Sequence, residues 1–219
     1  MRLVEASVAA GVKRFLPGEF GSVMNDATSK LPVFANKVEV EQQLEAYARE
    51  GKITYTYLFN GPFLDWGLKM GLVLNMAQYK PEIYDGGDNL FSTTTTETVG
   101  KAVRAILDHY EETKNRAIFI QDTLISQNKV LAIAKKMTPG KKWETIPMDT
   151  AEMKAHSDAN VENGVFDLNT MYAYLFVANF GKDKAYGAHF QKLDNELLGI
   201  KEKTEEEIEG IVKTYLPKN

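Results

Sequence analysis

Lys37 sits where a lysine is costly. From residue 30 to residue 50 the sequence predicts one long helix, stopped by Gly51. Its apolar stripe runs Val33, Val40, Leu44 and Ala48. At about 100° per residue, Lys37 falls on that stripe between Leu44 and Ala48. An amine among buried side chains loses hydration and its pKa falls. That makes it a proton donor or acceptor usable near neutrality. The same spacing fits a snorkelling lysine, whose stem packs while its ammonium reaches water. Spacing alone leaves both readings open.

Two loops share the chemistry-bearing residues. Asn60-Gly61-Pro62-Phe63 closes a β-branched and aromatic run, Ile53 to Phe59, and Pro17-Gly18-Glu19-Phe20-Gly21 follows Arg14-Phe15-Leu16, which reads as a short buried strand. Ligands of open α/β sheets bind outside the carboxyl ends of the strands. Two such loops on neighbouring parallel strands would converge on one crevice, although each also reads as an ordinary turn. Tyr110-Glu111-Glu112-Thr113-Lys114 matches the Tyr-x-x-x-Lys spacing of short-chain dehydrogenases. It lies among charges at a frayed helix end, and two fixed positions in five arise often by chance. Gly61, Gly67 and Gly71 follow no phosphate-loop spacing and read as close packing or turns. His109, His156 and His189 show no metal-ligand spacing, so no metal site is expected.

The elements that must position these residues alternate strand and helix, which predicts an α/β fold with a parallel sheet. Leu3 to Ala10 reads as a helix end with Gly11 as its stop. Strands are expected near 14–16, 53–59 and 117–121, with a further short one at Trp143 to Ile146. Residues 61–80 mix glycine with large apolar residues and are ambiguous. Ile83-Tyr84 and Leu90-Phe91 flank Asp85-Gly86-Gly87-Asp88, a hairpin signal. Thr94-Thr95-Thr96-Glu97 reads as a capping box before a helix carrying Val99, Ala102, Val103 and Ile106. Ser126 reads as the cap of the next helix. The acidic run Glu202 to Glu209 reads as a solvated helix face.

The 219 residues are 44% hydrophobic, enough for a sizeable core. A net charge of −4 argues against a nucleic-acid binder, which needs a basic face for phosphates. Zero cysteines exclude a disulfide scaffold and fit a reducing, cytoplasmic interior. The longest apolar run, Tyr172 to Phe180, is about half of a membrane span, so no membrane partner is expected.

Several of these blocks together resemble the isoflavone reductase-like, or NmrA-like, branch of the atypical short-chain dehydrogenases. The similarity runs through Ala10 to Pro17, Glu19-Phe20-Gly21, Val33-Phe34-x-x-Lys37, Tyr55-Thr56-Tyr57, Asn60 and Phe63, then Val99-Gly100 and Thr214-Tyr215-Leu216. It spans nearly the whole chain. The resemblance implies hydride transfer from NADPH (the cofactor NADP in its reduced form) to a small, aromatic substrate, with Lys37 as the catalytic residue that handles the proton. It implies that Pro17, Glu19, Phe20, Asn60 and Phe63 bind the cofactor. The alternative within the same resemblance is a non-catalytic NAD(P)-sensing regulator that binds a protein partner. Outside it stands a structural fragment with no ligand.

The sequence departs from the family pattern in places. Gly18 stands where the plant enzymes usually carry serine, and Glu41-Gln42 stands where a basic pair often follows the lysine. No Gly-x-x-Gly-x-x-Gly run is present, and the βα units that carry it need roughly a hundred residues at about 30 each. The expected fold is therefore the C-terminal part of a Rossmann-like parallel sheet with a small α/β substrate lobe. Residues 1–60 and 92–122 would form the NAD(P)-binding part, and 61–91 and 123–219 the substrate lobe. A fragment or shortened product of this kind is expected to bind NADPH weakly, to turn over little, and to self-associate through an exposed sheet edge.

Overall fold

The structure is a computed structural model that describes residues 2–217. In chain order the regular elements are α1 (Arg2–Ala9), β1 (Arg14–Phe15), α2 (Ala35–Arg49), β2 (Thr54–Phe59), α3 (Leu64–Lys69), β3 (Glu82–Tyr84) and β4 (Phe91–Thr93). They continue as α4 (Thr96–Asp108), α5 (Tyr110–Thr113), β5 (Arg116–Phe119), β6 (Thr123–Ile125), α6 (Gln127–Met137), β7 (Ile146–Met148), α7 (Thr150–Glu162), α8 (Leu168–Phe180) and α9 (Glu205–Thr214).

A three-stranded parallel sheet, ordered β1-β2-β5, forms the centre of the first half. Residues alternate across β2, so each face takes its own partners. Tyr57 and Phe59 pack with Val4 of α1 and Leu44 of α2. Leu58, pointing the other way, packs with Val99, Ala102 and Ile106 of α4. Burial on both faces is what a parallel sheet requires, and it fits the β-branched and aromatic character of β2, whose last four residues are all buried. The three strands expected near 14–16, 53–59 and 117–121 are found as this parallel sheet of an α/β fold. A second core joins Leu64, Leu74, Phe91, Val130, Phe180 and Val212 from the remaining elements.

Four local expectations are corrected. The hairpin at 83–91 does not form: β3 pairs in parallel with β7, and β4 pairs antiparallel with β6. The turn itself exists, with positive φ at Asp85, Gly86 and Gly87, but its polar groups face elsewhere. Asp85 accepts from the Thr150 backbone N–H, the Thr150 hydroxyl and the Lys182 N–H, which carries the chain toward the start of α7. The helix expected over 30–50 begins at Ala35, behind two 3₁₀ turns at 28–30 and 32–34. Pro32 opens the second turn and has no N–H to extend a helix. The strand expected at 143–146 lies at Ile146–Met148.

The capping box expected at 94–97 is shifted. Thr95 is the cap and accepts from Thr98 N–H, and the buried Asp122 carboxylate accepts the Thr95 N–H at 2.7 Å. Asp122 thereby does from a neighbouring segment what a glutamate in the first helical turn does in a capping box. A true box occurs at Thr204 and Glu207, inside the acidic run. Its neighbours Glu205 and Glu209 pair with Lys129 and Lys136 of α6. Residues 61–80 supply α3 and a short 3₁₀ turn at 77–79.

Candidate functional site

The two loops at the carboxyl ends of β1 and β2 touch. Gly61 N–H donates to Gly21 O at 3.0 Å. Gly61 has φ of +63°, and a Cβ there would lie 1.9 Å from Ser92 O. Glycine is needed at this position for both the backbone angle and the close approach. Beside the two loops lies a cavity of about 360 Å³, to which Phe20, Lys37 and Phe63 contribute.

Lys37 neither points freely to water nor stands alone in apolar surroundings. Its Nζ donates to Gly18 O at 2.8 Å and to Glu19 O at 2.5 Å. Beneath it, Glu19 Oε2 lies 3.6 Å away; Glu19 is 1% exposed and Lys37 32%. Burial lowers the Lys37 pKa from its ordinary value, and the neighbouring carboxylates of Glu19 and Glu41 oppose that fall. Burial likewise raises the Glu19 pKa, against the attraction of Lys37. Glu41, one helical turn beyond Lys37 on α2, is pushed up to about 8 by burial first, then by Glu19 and Glu45. Glu19 Oε2 and Glu41 Oε1 are both buried without a hydrogen-bond partner among the described residues. Carboxyl oxygens left unpaired in this way favour the protonated form.

Of the residues singled out in the sequence, Phe20 and Phe63 line the cavity with Lys37, whereas Pro17, Glu19 and Asn60 lie behind its wall. Pro17 is buried, and its carbonyl accepts from Glu19 N–H at 2.8 Å. Asn60 is fully buried; its Nδ2 donates to Gly61 O, and its Oδ1 has no partner among the described residues. Tyr110 and Lys114 lie elsewhere. The Tyr110 hydroxyl is 3.0 Å from Thr54 Oγ1, at the amino end of β2, and the Arg14 guanidinium covers its ring. Lys114 pairs with Glu111. Sequence reasoning missed Ser22, Trp66 and Asn179, which also line the cavity. Each is a lone residue with no spacing signal. Among the described residues no group of three metal-ligating side chains is present, and no helix is long and apolar enough to cross a membrane.

The family model described as NmrA-like matches residues 1–202. The chain belongs to the NmrA-like family. Within reach of this membership, the oxidoreductase aprR of Aspergillus flavus is 32% identical over 211 residues, covering 94% of this chain and 69% of that protein. Pinoresinol reductase 1 of Arabidopsis thaliana is 31% identical over 154 residues, 66% of this chain and 47% of that protein. Among solved structures, AtPrR2 with NADP+ and (+)pinoresinol superposes with a TM-score of 0.73 at 20% identity, covering 98% of this chain and 69% of that one. An isoflavone reductase superposes at 0.68 with 22% identity, covering 98% and 70%. This member of the NmrA-like family thus has the Rossmann-like α/β fold of those reductases.

Proposed function

We propose that this protein is an NAD(P)H-dependent reductase of the isoflavone reductase-like kind, acting on a small, uncharged, aromatic substrate in a reducing, cytoplasmic compartment. The observation that carries the reading is Lys37: a partly desolvated ammonium, fixed on the carbonyls of Gly18 and Glu19, at the wall of a largely apolar cavity. Such an amine holds a proton beside a bound substrate and gives it to a developing oxyanion. A nicotinamide cofactor supplies the hydride when bound. The residues present fit its ring end, since Phe20 and Phe63 offer apolar faces to the cavity; Asn60, fully buried behind them, keeps an acceptor oxygen without a donor among the described residues. In this reading Glu19 acts beneath Lys37, balancing its charge, and does not touch the cofactor. Residues 1–60 and 92–122 serve the cofactor side and 61–91 with 123–219 the substrate side.

The relatives support the reductase reading, because oxidoreductases and pinoresinol reductases recur among them. A polypeptide of these 219 residues contains no Gly-x-x-Gly-x-x-Gly turn, and such a turn with the helix behind it is the usual grip on the pyrophosphate. We therefore expect this polypeptide to hold NADPH weakly. Fluorescence titration tests this. Saturable binding is expected below about 1 mM, equivalent to roughly 4 kcal/mol, and it should weaken in Phe20→Ala and Phe63→Ala. No saturable binding up to that concentration would overturn the proposal. Among the described residues β1 pairs only with β2, and we expect association through its open edge. Sedimentation showing only monomer across the accessible concentration range would refute that part alone.

A further inference from the structure

The cavity has a second polar position, carried by elements that do not carry Lys37. Ser22 lies in the loop behind β1 and Asn179 in the last turn of α8. Their side chains meet across 157 residues of sequence, the Ser22 hydroxyl donating to Asn179 Oδ1 at 3.0 Å. Asn179 Nδ2 donates to Leu175 O at 2.8 Å, one turn back on the same helix. That second bond fixes the amide's orientation, because the flipped amide would set two carbonyl oxygens against each other. Ser22 is 7% exposed, so its hydroxyl is held within the wall and is not a surface group.

The inventory of what remains is short. Ser22 Oγ spends its hydrogen on Asn179 and keeps acceptor lone pairs. Asn179 Nδ2 spends one hydrogen on Leu175 and keeps the other. Among the described residues no other group takes up these remainders. One acceptor beside one donor is what an alcohol or phenol hydroxyl matches, donating to the serine and accepting from the amide. A carbonyl oxygen matches the donor half only. Among the described residues the cavity wall carries no carboxylate side chain, and its only charged side chain is Lys37, already paired with Glu19. A cation finds no partner here. The surrounding wall is aromatic and aliphatic, including Phe34, Trp66 and Phe176. A volume of about 360 Å³ lies at the lower end of small-molecule sites, which begin at about 300 Å³, and suits a ligand of one or two rings.

We propose that Ser22 and Asn179 form a hydroxyl-recognition position that selects, among compact neutral ring compounds, those with a hydroxyl group away from the atom served by Lys37. This rests on the reductase reading for its biological meaning, but its binding content stands apart from it. Apolar walls discriminate weakly between similar ring compounds. A site with committed polar groups instead penalises the analogue that leaves them unpaired.

The test uses a matched pair of rigid bicyclic probes, 2-indanol and indane, titrated into the 219-residue protein. Tryptophan fluorescence, excited at the red edge where neither probe absorbs, reports occupancy, since Trp66 lines the cavity and Trp143 packs against Tyr79 outside it. Saturable binding of both probes is expected. Ser22→Ala and Asn179→Leu should each weaken 2-indanol about 5- to 10-fold, the equivalent of one hydrogen bond. Indane should stay within about twofold. Equal weakening of both probes, or no change in either, overturns the proposal, as does the absence of saturable binding to the wild type. If Asn179→Leu fails to fold, Ser22→Ala, with its unfolding midpoint measured alongside, carries the test. Loss of the hydroxyl preference in Lys37→Ala but not in Ser22→Ala also overturns it, while leaving the reductase reading intact. NADPH titration of the same variants separates the two ideas, because a protein that discriminates the probes but never binds NADPH refutes only the reductase reading.

Discussion

Glu41→Gln should stabilise this protein in mildly alkaline solution and leave it unchanged in mild acid. Glu41 has a folded pKa of about 8 against an ordinary 4.5. The groups that face it are Glu19 from the β1 loop, Glu45 and Lys37 on its own helix, and Tyr57 from β2, whose hydroxyl donates to the Glu41 carbonyl. A carboxyl whose folded pKa is raised binds its proton more tightly in the native state. Its favourable contribution is therefore full below about 4.5 and is lost as the pH rises through about 8. The upper bound is about 5 kcal/mol, at roughly 1.4 kcal/mol per decade. Part of the side chain stays in water, and screening there reduces the expected loss to about 1–2 kcal/mol. Glutamine reproduces the neutral carboxyl at all pH values and so escapes the loss. Urea unfolding of both proteins near pH 5 and near pH 8.5 measures the effect. The midpoints should coincide at the lower pH, and the variant should gain about 1–2 kcal/mol at the higher. An equal difference at both values, or a less stable variant at high pH, would refute the burial argument.

Three further outcomes are expected. At saturating NADPH, Lys37→Ala should lower turnover of aromatic enones and ketones by about 100-fold or more, the usual worth of a positioned proton donor. Tyr110→Phe should stay within twofold of wild type and cost only about 0.5–1 kcal/mol of stability for its bond to Thr54; similar losses in both variants would sink the assignment. Asp122 is 0% exposed and accepts from Thr95 N–H, the Thr95 hydroxyl and the Thr98 hydroxyl. Asp122→Ala should cost about 3–5 kcal/mol, because it strips a buried hydrogen-bonded charge from the start of α4. Chemical denaturation checks this, and a cost under about 1 kcal/mol would show that the network is not what anchors the helix.

What the sequence disclosed, and what it hid, follows the range of each interaction. The parallel strands were legible because β2 carries its own signal in a run of β-branched and aromatic residues. The hairpin was misread because a turn signal is local and strand pairing is not: β3 finds its partner at Ile146–Met148, beyond three intervening strands. The capping box slipped by one residue because the acceptor for Thr95 N–H is Asp122, 27 positions away. Ser22 and Asn179 carried no pattern at all, since a pair made by tertiary packing leaves no spacing in the chain.

Lys37 is the instructive middle case. Periodicity placed it on the inward side of a helix, but its hydrogen-bond acceptors are carbonyls of a loop in front of that helix. Among the residues of α2, Leu44 alone is fully buried, and the neighbouring inward positions include Lys37 and Glu41. A helix built only to cover a sheet would place apolar side chains at those positions and gain their burial. This one places Lys37 and Glu41 against the buried Glu19 of the loop after β1, a cluster of ionisable groups that stability alone does not favour. Sequence rules are expected to fail where a site pays for its chemistry in stability. Under the proposed function the imperfect stripe of α2 fits that rule, and it lies beside the cavity that Lys37 lines.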